Sequence, residues 1–191
     1  MKQSLVWTSQ TYNLGDIVEV ADKNLEAKAN QFVFTPHTPY LHHFLIGNYI
    51  AEENDYVIYE SIPSHGVAIG RLSFYDGKNY RVLRLSRWDS KIVGGAVIND
   101  VSLFGREPYD YIGMINLVGQ VIRIESMYWR TYRKLKAVSS RDVIINGNGL
   151  WCTELVVQAY LQAGVSILPP GCAALPSAFQ ESVDNETLVV V

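Results

Sequence analysis

Runs of β-branched and aromatic residues, separated by short polar breaks, dominate the first half of the chain. They are GDIVEVA (15–21), HHFLIGNYIA (42–51), DYVIYESI (55–62), GVAIGRLSFY (66–75) and YRVLRLS (80–86). Each has the length and composition of a strand, and EEN, PS and DGKN between them supply turn chemistry. FYDGKNYRV (74–82) reads as a hairpin, because Asp-Gly between alternating apolar residues favours a tight reversal. The pattern then changes. WDSKIVGGAVINDVSLFG (88–105) has helical character, weakened by adjacent glycines. PYDYIGMINLVGQVIRI (108–124) and the basic ESMYWRTYRKLKAV (125–138) also read as helices. The tail from 168 reads as irregular, ending in a strand. Strands first and helices later predict one α+β domain over residues 1–191.

Leu155, Val156, Ala159, Tyr160 and Ala163 recur at helical spacing, and Gly164 supplies a stop. This helix follows the Gly/Asn-rich NGNGLW, so Cys152 falls in its first turn. Unpaired N–H groups and the helix dipole favour an anion there, including a thiolate. The same position also suits a small buried apolar side chain.

Composition adds mainly exclusions. The 191 residues are 48% hydrophobic and 18% charged, with a net charge of −3, which gives no electrostatic reason to expect nucleic acid or an anionic membrane as partner. Two cysteines make no disulfide framework, no metal-type spacing is present, and no cofactor is implied. The N-terminus lacks a signal-peptide apolar core and nothing approaches a membrane span, so a cytoplasmic protein is expected.

A cysteine nucleophile needs a base, and the base needs an orienting polar group. His37 and His65 lie in loop or turn sequence. His42 and His43 open an apolar strand, where alternation sends one inward and the other away. Glu60 ends the next apolar run, and a buried carboxylate there needs a partner such as an imidazolium.

Several segments together resemble the circularly permuted NlpC-type, papain-like hydrolases of the YiiX-like group. They are Gly15-Asp16-Ile17-Val18, His43-Phe44-Leu45-Ile46, Tyr59-Glu60-Ser61, Gly66-Val67, Arg81 to Arg84, Tyr109-Asp110-Tyr111 and Trp151 to Val156. The order of these elements carries the likeness across most of the chain. The resemblance implies a papain-like fold in which His and Glu precede Cys, an antiparallel sheet or barrel packed on helices. It implies Cys152 as nucleophile, His43 as general base and Glu60 as the group orienting it, with His42 as the alternative base. Trp151 and Tyr109 are candidates to wall a substrate cleft. Thr153 is assigned to capping, Glu154 to a structural hydrogen bond and Cys172 to an unpaired thiol. The implied activity is thiol hydrolysis of a peptide or isopeptide amide through a thioester. The alternatives are a lipid acyl hydrolase or acyltransferase, and a noncatalytic binding module on the same fold.

Overall fold

The computed structural model describes residues 12–21, 38–63, 65–86, 90–105, 107–110, 149–172 and 174–191. His37, Tyr111, most of the expected helix 108–124 and the whole of the expected helix 125–138 lie outside the described residues. Among the described residues the strands are β1 (Ile17–Ala21), β2 (Tyr40–Ile50), β3 (Asp55–Ile62), β4 (Gly66–Arg71), β5 (Asn79–Leu85) and β6 (Leu188–Val190). The helices are α1 (Ser90–Leu103), α2 (Cys152–Gln162) and α3 (Pro176–Asp184). The strands form one antiparallel sheet in the order β4-β3-β2-β1-β5-β6. The architecture is α+β.

Period-two alternation divides the strand side chains between two faces. Ile17, Leu45, Leu83 and Leu85 point to the face covered by helices, where they join Val97 of α1, Leu155 and Val156 of α2, and Phe179 of α3. Val18, Val20, Phe44, Ile46, Ile58 and Val82 point the other way, under Tyr12, Leu72, Tyr56, Tyr75 and Tyr80. The sheet is therefore covered on both sides, which explains why its central strands read as nearly continuous apolar runs.

Three expectations change. FYDGKNYRV is not a hairpin: Leu72–Tyr75 forms a 3-10 turn, and Asp76-Gly77 leads into β5, which pairs with β1. β4 lies at the opposite edge of the sheet. The Gly-Gly pair does not interrupt α1. Gly94 is instead where the helix meets the Leu14–Gly15 turn, since a Cβ on it would lie 1.8 Å from the Leu14 carbonyl oxygen. Finally, the tail is not irregular throughout, because residues 176–184 form α3, with Pro176 at its first position.

Candidate functional site: a cysteine in the split of a sheet

At one end the sheet divides. The β2–β3 ladder begins at Phe44↔Glu60. Beyond it, His42 and His43 pair with Val20 and Glu19 of β1, while Ser61 and Ile62 pair with Val67 and Gly66 of β4. β2 thus stays with β1 and β3 with β4, and the start of α2 enters the opening between them. Cys152 Sγ lies 3.7 Å from the Leu41 carbonyl oxygen, to which the thiol form can donate. On the other side of the opening, Ser61 Oγ donates to the Leu150 carbonyl oxygen. Glu107 and Pro108 brace the same end: Val67 N–H donates to the Glu107 carbonyl and Leu150 N–H to the Pro108 carbonyl. Gly66 adopts φ +70°, and a Cβ there would lie 2.1 Å from the Glu107 carbonyl oxygen. That close approach requires glycine.

A sulfur seated in this opening can be reached from both faces. His42 and His43 point to opposite faces, yet both act electrostatically on Cys152. The expected pairing of His43 with Glu60 is corrected. Glu60 shares its face with His42, and the distance from His42 Nε2 to Glu60 Oε2 is 3.0 Å. His43 Nε2 is instead 3.0 Å from Glu19 Oε1, its direct cross-strand neighbour. Alternation is the reason: Glu60 stands opposite Phe44, so it faces even-numbered side chains of β2.

The two histidines differ in setting. The His42 side chain is 22% exposed, lies stacked beside the Tyr75 ring, and shares Glu60 with the Tyr75 hydroxyl, which donates to it. The His43 side chain is fully buried and stacks on Phe179 of α3, with ring centroids 4.7 Å apart. Glu19, also fully buried, accepts from Arg81 of β5, and Arg81 in turn donates to Gln180 of α3. Glu19 and Arg81 were not singled out from the sequence. The available signal was Glu19 itself, a carboxylate inside the apolar run IVEVA with the same need for a partner as Glu60.

The electrostatics favour an ion pair. Burial pushes the Cys152 thiol up, but the His42 and His43 imidazoles outweigh it and hold the thiol well below its ordinary value. Burial lowers His42, whereas Cys152 and Glu60 raise it further, to about 9. His43 moves up from its ordinary value for the corresponding reason, with Glu19 and Cys152 overcoming its burial. Burial raises Glu60, but the His42 and Tyr75 hydrogen bonds keep it below the usual carboxylate value.

The neighbours of Cys152 are largely structural. Glu154 accepts from the Trp151 N–H at 3.4 Å, the structural hydrogen bond expected of it, and its burial pushes it up to about 7. Thr153 Oγ1 lies 3.8 Å from the sulfur. Trp151 is buried, and its indole N–H donates to the Ala174 carbonyl at 3.2 Å, tying that loop to the helix start. These contacts make it a packing anchor for the helix start. Tyr109 is half-buried in the segment that braces Leu150. Cys172 is a half-buried free thiol whose Sγ lies 3.6 Å from Glu181 Oε2. Among the described residues, no group of three or more His, Cys, Asp or Glu side chains is placed to hold a metal ion. Among them, also, no helix is long and apolar enough to cross a membrane.

No family model matches the chain. No curated protein matches it either. Among solved structures it is similar to metalloprotein YiiX from Escherichia coli O157:H7, with a TM-score of 0.61 and 15% sequence identity. The similarity covers 94% of this chain and 96% of that one. At this identity the likeness is one of fold, and it makes the α+β architecture YiiX-like.

Proposed function

We propose that the chain is a thiol hydrolase that cleaves a peptide or isopeptide amide through a thioester intermediate. The observation carrying this reading is Cys152 at a helix start, with His42 and Glu60 arranged as base and orienting carboxylate. In this scheme the Cys152 thiolate attacks the carbonyl carbon. The Cys152 N–H, at the helix start, is available to the developing oxyanion. His42, protonated and partly exposed, gives its proton to the leaving nitrogen as the C–N bond breaks. Neutral His42 then takes a proton from water, whose oxygen attacks the thioester and regenerates the thiolate. Glu60 holds the imidazole in the orientation that directs its other nitrogen to sulfur. Four findings support the reading: the YiiX-like fold, the split sheet, the ion pair and the ordered residues of the permuted papain-like pattern.

The metal named for YiiX is not carried over. Among the described residues, no group of three or more His, Cys, Asp or Glu side chains is placed to hold it. One observation favours a second reading, a noncatalytic binding module: Cys152 is only 8% exposed. Incubation with peptide, isopeptide and lipid acyl donors, followed by mass spectrometry, separates the readings. The expected result is a covalent acyl adduct on Cys152 and product release that Cys152→Ala abolishes. Release at the parental rate by Cys152→Ala would falsify the mechanism. Absence of an adduct across all three donor classes favours the binding module, and an adduct from lipid donors alone reassigns the substrate class.

A further inference from the structure

The second histidine has a setting of its own. Glu19, His43 and Arg81 occupy directly paired positions on three adjacent strands, β2, β1 and β5, on the helix-covered face. Glu19 stands in the middle and bonds to both cations. The two ends are held from outside the row: Phe179 covers His43, Gln180 accepts from Arg81, and the Arg81 guanidinium lies 4.5 Å over the Tyr40 ring. With Nε2 committed to Glu19, Nδ1 is the ring nitrogen of His43 left over, and it is buried. No acceptor among the described residues lies at full hydrogen-bond distance from Nδ1.

Charge balance says what such a ring can do. Arg81 already neutralises Glu19, so a protonated His43 is a buried cation left to be balanced by the Cys152 thiolate. A buried charge without a counter-ion is strongly disfavoured, so the cation and the thiolate support one another. His42 has its own anion in Glu60 and a route to solvent. His43 has no such route, because its side chain is completely enclosed.

We propose that His43 is a positioning residue, a fixed cation held by Glu19 and Arg81 that keeps Cys152 anionic while His42 alone carries protons to and from substrate. This division of labour rests on the thiol-hydrolase reading and deepens it. The described charged groups facing the pair are Glu19 from β1, His42 from β2, Arg81 from β5 and Glu154 from α2; α3 contributes only the Phe179 ring and the Gln180 amide.

The test measures the thiol directly and needs no substrate. In a Cys172→Ser background, the rate of iodoacetamide alkylation is followed against pH for the parent, His43→Gln and Glu19→Gln. Removing the cation should shift the Cys152 profile upward by about one pH unit and slow alkylation near pH 7 about tenfold. The rate at high pH, where any thiol ionises, should remain near parental. A folded His43→Gln protein with an unmoved profile overturns the proposal. If both variants fail to fold, proton NMR of the His43 ring decides, comparing parent with Cys152→Ala. Loss of the thiolate should lower the pH at which His43 titrates, and an unchanged titration overturns the proposal. Product release by Cys152→Ala would instead sink the hydrolase reading and leave the thiol titration standing, so the two failures are distinguishable.

Discussion

In the proposed hydrolase, the ionisation of Cys152 and His42 sets the pH window for activity. The thiol is held low by both histidines, so the thiolate is present on the acid side of the ordinary thiol range. His42 is raised to about 9, so the acid assigned to it in the proposed mechanism persists until pH climbs through that value and is lost above it. Activity should therefore have an alkaline limb near 9, seen as a fall in kcat/KM in a pH–rate profile. Glu60→Gln removes one of the groups that raise His42, so it should move this limb to lower pH and reduce kcat about a hundredfold. An alkaline limb that stays in place in Glu60→Gln would disconnect Glu60 from the base. At this scale the sequence was informative about chemistry and ambiguous about pairing. Cys152 at a helix start and Glu60 in need of a cation could be read from local pattern. The choice between His42 and His43 could not, because it depends on which face of β2 Glu60 meets, and that is a register between strands. Glu19 went unread although the argument applied to Glu60 fits it equally well.

At the scale of elements, β1 to β5 were visible in the sequence because β-branched runs bounded by turns fit little else. α2 was visible because five apolar positions share one helical face before Gly164. What stayed hidden was pairing between distant segments. The Asp-Gly turn is real, yet its neighbours along the chain are not neighbours in the sheet. α3 spans only nine residues, too few for a clear periodic stripe, and its remaining signal was Pro176 at its start. α1 shows how a residue that opposes a helix locally can be required by packing. Gly94 and Gly95 carry the same propensity cost but differ in surroundings: a Cβ on Gly94 meets the Leu14 backbone, whereas on Gly95 it meets nothing described within 4 Å. Gly94→Ala should destabilise the protein by about 2–3 kcal/mol, since neither backbone can yield easily. Gly95→Ala should stabilise it by roughly 0.5–1 kcal/mol through helix propensity. Urea unfolding midpoints of the two variants check the contrast, and equal shifts would remove Gly94 from the α1–turn contact.

For the whole molecule, the central feature is a sheet that opens at one end and a helix start that fills the opening. Neither half of the split builds the site alone. β2 supplies both histidines, β3 supplies Glu60, β1 and β5 supply the buried row behind His43, and α2 arrives from more than a hundred residues further along the chain. Such an arrangement depends on the few contacts that hold the helix start at the correct depth. Ser61 is the most direct of these. It is fully buried and follows Glu60 on the opposite face, and its hydroxyl bonds the Leu150 carbonyl just ahead of Cys152. One strand thus orients His42 with one residue and, with the next, seats the start of α2, with Cys152. Ser61→Ala would leave the Leu150 carbonyl without this donor, costing about 1–3 kcal/mol of stability. The larger effect should be on chemistry, because a small displacement of the sulfur relative to His42 weakens a reaction that depends on alignment. We expect kcat to fall roughly tenfold. The pH limbs should not move, since Ser61 carries no charge and the histidine–carboxylate pairs remain intact. Thermal melts and a pH–rate profile on the same variant separate these effects. A profile displaced along the pH axis would show that Ser61 acts through the ionisation of the site and not through its geometry.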